Sequence, residues 1–142
     1  MRLRDDCNQI VTQAIRQVQP DAAVRRALEN PPSFAGRLLV VAVGKAAWTM
    51  AHAAIDCLDR KPDGGIVITK YHHSQGPLEG LQIMEAGHPV PDENSFAGTK
   101  KALDLVADLQ PEDTVLFLLS GGGSALFEKP LIPGEELQDI TN

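Results

Sequence analysis

Two glycine-containing segments have the residue types and spacing to bind an anion. The first, "VAVGKAAW", places Lys45 directly after Gly44, and the second, "LLSGGGSAL", places three glycines between Ser120 and Ser124. Backbone amides in a glycine turn or at a helix start point at a bound anion, and the helix dipole favours negative charge there. A lysine adds a point charge that suits phosphate. These residues predict an anion site, with a flexible glycine turn and a solvated lysine as the alternatives.

Neither segment matches a common nucleotide-binding or hydrolase motif. A Walker A loop needs a glycine where this chain has Leu39, and a serine or threonine where it has Ala46. A dinucleotide fingerprint that begins at Gly121 needs a small residue where this chain has Leu126. A hydrolase elbow needs its serine between two spaced glycines, which Ser124 lacks. The residues therefore predict an anion-binding loop of another family.

Histidines and acids outside these segments are further candidates for chemistry. His72 and His73 are neighbours in "KYHHSQG", and neighbours on a strand point to opposite faces, so the pair does not suit a shared metal site. His88 lies between a glycine and a proline in "GHPVPDENS", where a functional and a structural role are both open. Asp92 and Glu93 suit Mg²⁺ binding, but a helix N-cap explains Asp92 at least as well.

The elements around these segments follow the pattern of an α/β domain. Continuous apolar runs predict buried strands at Leu38 to Val43, in "GGIVITKY", in "LQIMEAG" and in "DTVLFLLS". Helical spacing predicts a helical lead-in over residues 1–30 and helices at 45–58 and 95–109. Strands and helices alternate over residues 37–133, which predicts a Rossmann-like, doubly wound, mostly parallel sheet with helices on both faces. Ligands of such sheets bind outside the carboxyl ends of the strands, where both glycine segments lie.

Composition limits the class of partner. The chain has 142 residues, a formal net charge of −6 and 43% hydrophobic residues, which is typical of one globular domain without nucleic acid as its main partner. Cys7 and Cys57 match no metal or redox spacing. Neither a signal peptide nor a stretch of transmembrane length is evident, so a cytoplasmic protein without a membrane partner is expected. A new helix starts after Pro133, which suggests the front part of a longer protein.

Four segments occur together in a specific order: "VVAVGKAAWTMA", "GIVITKYHH", "MEAGHPVPDENSFAGTKKAL" and "VLFLLSGGGSALFEKP". In that order and spacing they resemble the N-terminal region of the glycerate 2-kinase family, whose C-terminal part is called the MOFRL domain. The resemblance runs from about Leu38 to Pro133. Family members are much longer and fold as two α/β domains around an active-site cleft. The resemblance therefore implies that residues 1–142 are the N-terminal part of such a domain, with little or no turnover alone.

The resemblance implies an ATP-dependent phosphotransferase that acts on an alcohol group. With Mg²⁺, it would transfer the γ-phosphate of ATP to D-glycerate and give 2-phosphoglycerate. Lys45 would be catalytic, by neutralising charge on the transferred phosphoryl group. The glycine loop would hold a phosphate or carboxylate, and the GHPVPD loop would line the same cleft. The binding residues so implied are Gly44, His88, Pro89, Asp92, Ser120, Gly121, Gly122, Gly123 and Ser124.

Two other functions are carried as alternatives. Relatives are often named hydroxypyruvate reductases, but a nicotinamide-dependent reductase needs a glycine-rich dinucleotide loop after the first strand, and "VGKAAWTMA" lacks its second and third glycines. A non-catalytic module that binds a sugar phosphate or nucleotide is the other alternative. Family members often self-associate, so the sequence leaves a homo-oligomer open.

Overall fold

The computed structural model describes residues 2–142, so Met1, the first residue of the predicted lead-in, lies outside the described residues. The helices of residues 2–142 are α1 (Leu3–Gln17), α2 (Pro20–Ala27), α3 (Ala47–Cys57), α4 (Glu93–Leu105), α5 (Gly123–Leu126) and α6 (Gly134–Thr141). The strands of this part of the chain are β1 (Leu38–Val43), β2 (Gly64–Lys70), β3 (Gln82–Ala86) and β4 (Thr114–Leu119). All four predicted strands are therefore present, and α1 and α2 occupy the lead-in.

The strands form one parallel sheet in the order β3-β2-β1-β4. From β1 the chain moves outward to β2 and β3, and then returns through α4 to place β4 on the other side of β1. The direction of winding thus reverses between β1 and β4, which makes this the topological switch point of the sheet. Ligands of doubly wound sheets bind outside the carboxyl ends of the strands at such a point.

Alternating residues of β1 divide the core between the two faces of the sheet. All six residues of β1 are buried. Val40 and Ala42 pack on the side that α2 and α3 cover, whereas Val41 and Val43 pack on the side that α4 and α5 cover. Small side chains let α3 lie close to the sheet, and its fully buried alanines are Ala47, Ala51 and Ala54. The predicted fold class, an α/β sheet with helices on both faces, is confirmed.

The helix that follows β1 begins later than the sequence predicted. The prediction started this helix at Lys45, but α3 begins at Ala47, with Ala46 as its N-cap. Gly44 has a φ of +115°, which is incompatible with a helix, so the residues after β1 form a turn first. Lys45 therefore lies in the turn between β1 and α3, not on the first turn of the helix.

Two apolar surfaces remain exposed in this part of the chain. The large apolar side chains along α1 and at its C-cap are more than half exposed: Leu3, Ile10, Val11, Ile15 and Val18. On β4, which lies at the edge of the sheet, Phe117 and Leu119 are 47% and 60% exposed. Among the helices of residues 2–142, none combines the length and apolar character needed to cross a membrane.

Asp113 ties the amino ends of β1 and β4 together, at the opposite end of the strands from the glycine segments. Its carboxylate accepts hydrogen bonds from the Arg37 backbone N–H at 2.8 Å, from Arg37 Nε at 2.9 Å and from Arg37 Nη2 at 2.7 Å. The Gln110 backbone N–H donates another at 3.0 Å. The Arg37 guanidinium, followed by these backbone donors, lowers the pKa of Asp113 from 3.8 to about 2.

We expect this carboxylate to make the free energy of unfolding depend on pH in acid. A group whose pKa is lowered by folding adds stability that is fully present above its unfolded pKa of 3.8, and that is lost as the pH falls to about 2. Urea unfolding should give the wild-type chain a higher free energy of unfolding than Asp113→Asn. We expect this difference to be constant above about pH 4 and to shrink towards about pH 2. A difference that stayed constant across this range would contradict the role given to Asp113.

Candidate anion-binding site

The turns after β1 and β4 are joined by a set of short hydrogen bonds. The Lys45 backbone N–H donates to the Gly121 carbonyl oxygen at 3.0 Å, and the Ala46 N–H donates to Ser120 Oγ at 3.0 Å. The Ser120 backbone N–H donates to the Val43 carbonyl oxygen at 2.9 Å. These bonds follow from the pairing of β1 with β4, which brings both predicted segments to one edge of the sheet. The hydroxyl oxygen of Ser120 thus already accepts a hydrogen bond from within the protein.

Gly44 permits the close approach of these two turns. A Cβ added at Gly44 would clash with Ser120 Oγ and would lie 2.6 Å from the Ser120 carbonyl oxygen. The φ of +115° is also one that L side chains rarely adopt. On the other side of the turn, the Gly44 N–H donates to the Ile68 carbonyl oxygen at 3.1 Å. Gly44 therefore lies in close contact with both β2 and the turn after β4. Its predicted role at the site is to let the turns after β1 and β4 approach each other.

Lys45, His88 and Gly122 meet above this edge of the sheet. Gly122 has a φ of +82°, and a Cβ added there would lie 2.8 Å from His88 Nε2 and 3.2 Å from Lys45 Cε. Lys45 is exposed, and the side chains of Lys45 and His88 donate no hydrogen bond to another described residue. The peptide bond between His88 and Pro89 is cis, and Pro89 is exposed. Two nitrogen-bearing side chains and a glycine backbone thus converge on one small region.

The glycine triplet has an open side that faces solvent. A Cβ added at Gly121 would meet no atom within 4 Å. Gly122 is the N-cap of α5, which begins at Gly123, so the first backbone N–H group of that short helix belongs to the triplet itself. Ser124 lies in α5 and is exposed. Backbone amides and a lysine side chain at this edge form a set of donors suited to an anion.

Asp92 is the N-cap of α4, as the alternative reading of the sequence held. Its Oδ1 accepts from the Ser95 N–H at 3.0 Å, and its Oδ2 accepts from the Tyr71 hydroxyl at 2.6 Å. Although burial opposes the change, hydrogen bonds from Tyr71, Gly87 and Ser95 lower the pKa of the Asp92 carboxyl. Both carboxylate oxygens thus have protein partners, and the loop that carries His88 is anchored to the end of β2.

Sequence reasoning did not predict two contacts to the Lys45 turn, since Thr69 was not singled out and His73 was considered only as a metal ligand. Thr69, at the end of β2, is fully buried, and its Oγ1 donates to the Gly44 carbonyl oxygen at 3.0 Å. His73 places Nδ1 at 3.0 Å from the Lys45 carbonyl oxygen. The signal available in the sequence was topological: "KYHHS" follows the strand that neighbours β1, so it reaches the same edge of the sheet. Within residues 2–142, no group of three or more histidine, cysteine, aspartate or glutamate side chains is placed to hold a metal ion.

The first two glycines of the triplet, Gly121 and Gly122, should respond differently to alanine. We expect Gly122→Ala to lower the free energy of unfolding by about 1–2 kcal/mol, because its φ is positive and its Cβ would press on His88. Gly121→Ala is the matched control, and we expect a change within about 0.5 kcal/mol because its Cβ would enter open space. Urea unfolding of both variants measures this. Equal losses from the two substitutions would contradict the geometry described for the loop.

Comparison with known proteins assigns this chain to a family. The family model described as "Domain of unknown function (DUF4147)" matches residues 6–142. The D-glycerate 2-kinase of Thermotoga maritima is 52% identical over 136 residues, which cover 94% of this chain and 32% of that relative. A protein of Agrobacterium vitis that carries a hydroxypyruvate reductase name is 41% identical over 128 residues, which cover 89% of this chain and 28% of that relative.

A solved structure shares the architecture. The crystal structure of a glycerate kinase from Thermotoga maritima superposes with a TM-score of 0.84 at 51% identity, over 93% of this chain and 32% of that one. The four-stranded parallel sheet and its helices are therefore shared with that protein. The chain spans about a third of the length of the relatives that it matches.

Proposed function

This chain belongs to the DUF4147 family, and on that premise we propose that it forms part of the active site of a glycerate 2-kinase. In the full-length protein the reaction is transfer of the γ-phosphate of ATP to D-glycerate, which gives 2-phosphoglycerate. The proposal includes a cytoplasmic location. The observation that carries it is the convergence of Lys45, His88 and the glycine loop at the switch point of the sheet.

Lys45 is the proposed catalytic residue. Phosphoryl transfer depends mainly on positioning and on stabilising negative charge that develops on the transferred group. The exposed Lys45 ammonium lies beside the glycine loop, where a phosphoryl oxygen held by backbone amides would come within its reach. His88 lies next to it and is proposed to bind the same anionic group.

The glycine loop is proposed to hold a phosphate or carboxylate through backbone N–H groups, with Gly121 as the point of closest approach. The absence of a Cβ at Gly121 leaves that side open, which supports this role. Gly122, Gly123 and Ser124 continue the binding surface into α5. We propose that Ser120 and Asp92 position the loops and do not contact the ligand with their side chains. The Ser120 hydroxyl is already hydrogen-bonded to Ala46, and the Asp92 carboxylate to Tyr71 and Ser95.

We propose that Mg²⁺ binds together with ATP. In kinases this ion is held largely by nucleotide phosphates, water and one or two carboxylates, so it needs no dedicated cluster of protein ligands. Bound there, the ion would neutralise charge on the β- and γ-phosphates. The residues of this chain that suit the phosphates are the amide donors of the two turns and the Lys45 side chain.

The second candidate function is hydroxypyruvate reduction, which the names of some relatives indicate. A nicotinamide cofactor normally sits on a glycine-rich turn after the first strand. Here that turn has Gly44 as its one glycine, and Lys45 and Ala46 follow it before α3 begins. The turn therefore offers a lysine and one glycine where a dinucleotide would need three glycines, which favours the kinase.

The test is to incubate the full-length protein with Mg-ATP and D-glycerate and to identify the products by phosphorus NMR. We expect 2-phosphoglycerate and ADP. A parallel absorbance assay with NADH and hydroxypyruvate controls for the reductase. NADH consumption without phosphoglycerate would overturn the proposal in favour of the second candidate, and binding of ATP without either reaction would favour a non-catalytic module.

A further inference from the structure

The peptide unit of Lys45 is held from both neighbouring strands. Its N–H donates to the Gly121 carbonyl oxygen after β4, and its own carbonyl oxygen lies 3.0 Å from His73 Nδ1 after β2. Thr69 Oγ1 lies 3.4 Å from the same carbonyl oxygen. A carbonyl oxygen only accepts hydrogen bonds, so Nδ1 of His73 carries the hydrogen and donates it. The His73 ring is thus a donor directed at the backbone of Lys45.

The turn that carries His73 is built by Glu85 on β3. Glu85 Oε1 accepts from the His73 backbone N–H at 3.1 Å and from the Ser74 N–H at 2.9 Å. These backbone donors, that of Ser74 foremost, lower the pKa of the Glu85 carboxyl, although burial opposes the change. His72 adopts a left-handed conformation with a φ of +65° to complete the turn. A carboxylate on the edge strand and a strained residue therefore aim the His73 ring at the Lys45 turn.

We infer that His73 is a positioning residue for Lys45, acting through the hydrogen bond from Nδ1 to the Lys45 carbonyl oxygen. This inference rests on the proposed function, since it concerns the same lysine. A lysine side chain has four rotatable bonds, so the position of its ammonium group depends on a well-defined backbone at its base. A displacement of about 1 Å at a reacting group is enough to slow a reaction by as much as about a hundredfold. The predicted effect of losing the His73 donor is therefore on turnover.

Two replacements of His73 separate the hydrogen bond from the bulk of the ring. Asparagine places an amide N–H near the position of Nδ1, whereas leucine has a similar branched shape and no donor. In the full-length protein we expect His73→Leu to lower kcat roughly tenfold with little change in KM, and His73→Asn to retain most of the turnover. His72→Asn is the matched control, because it replaces the neighbouring imidazole by a side chain that tolerates the left-handed conformation. We expect normal turnover from it.

A double-mutant cycle tests whether His73 acts through Lys45. If it does, His73→Leu lowers kcat in the wild-type background and has no further effect in a Lys45→Ala background. The inference would be overturned if His73→Leu lowered kcat by the same factor in both backgrounds. It would also be overturned if His73→Leu and His73→Asn lowered kcat equally. Amide hydrogen exchange of the Lys45 N–H supplies a readout without activity, and we expect faster exchange in His73→Leu than in His73→Asn. If the wild-type protein does not phosphorylate glycerate, the proposed function fails, while the exchange comparison still decides whether His73 holds the turn.

Discussion

Gly44→Ala is expected to lower the free energy of unfolding by about 3 kcal/mol, because two separate penalties act at this position. The first is the φ of +115°, which is unfavourable for any residue with a Cβ. The second is steric, since the new methyl group would collide with Ser120 and lie 2.6 Å from its carbonyl oxygen. Backbone atoms do not swing aside as flexible side chains do, so the turns after β1 and β4 would be forced apart. Urea unfolding monitored by circular dichroism measures the loss.

Gly76→Ala is the matched control for this prediction. Gly76 has a φ of +122°, close to that of Gly44, but a Cβ added there would meet nothing within 4 Å. Its substitution therefore carries the conformational penalty without the collision, and we expect a loss of about 1–2 kcal/mol. The difference between the two variants isolates the steric part. If Gly76→Ala destabilised the chain as much as Gly44→Ala, the close approach at Ser120 would not be the reason for the glycine.

Lys45→Ala is expected to lower kcat of the full-length protein by on the order of a hundredfold or more, with stability little changed. Lys45 is exposed and its ammonium bonds to no other described residue, so its removal leaves no buried group without a partner. The loss would arise from charge on the transferred phosphoryl group that the ammonium no longer stabilises. Steady-state kinetics with Mg-ATP and D-glycerate measures it.

Lys61→Ala is the matched control for Lys45→Ala. Lys61 pairs with Glu79 on the surface, where both side chains are more than 70% exposed, and a pair of this kind contributes little to stability. We expect normal turnover from it. Normal turnover from Lys45→Ala as well would contradict the catalytic assignment, and a raised KM with unchanged kcat would mean that Lys45 binds ground state and transition state equally.

The elements that carry the site could be predicted because their sequence patterns are unambiguous. Leu38 to Val43 is continuously apolar, and in the structure that strand is buried on both faces at the centre of the sheet. Parallel strands present their carboxyl ends at one edge, so the segments after β1 and β4 were expected there before their pairing was known. Local pattern and general topology together were sufficient for Lys45 and the glycine triplet to be found as neighbours.

Other features depend on contacts that a single sequence does not encode locally. The approach of His73 to Lys45 requires a left-handed residue at His72 and a carboxylate from β3, and neither has a local signature. The later start of α3 follows from the backbone conformation of Gly44, where helical propensity alone favoured Lys45. Asp92 accepts from Ser95 within its own helix and from Tyr71 after β2, so the N-cap could be foreseen and the bond from Tyr71 could not.

The pairing of β1 with β4 also determines when during folding the proposed anion site forms. Ala46 and Ser120 are joined by a hydrogen bond although 74 positions separate them in the chain. The entropy of closing so long a loop opposes this contact before any stabilising contact forms, so such long-range parallel pairs form slowly. A ligand that bridges the two turns can bind only chains in which this pair has formed. At a concentration of 100 times its dissociation constant, such a ligand would raise the free energy of unfolding by about 2.7 kcal/mol. It would do so by stabilising the strand pair of the sheet that forms most slowly.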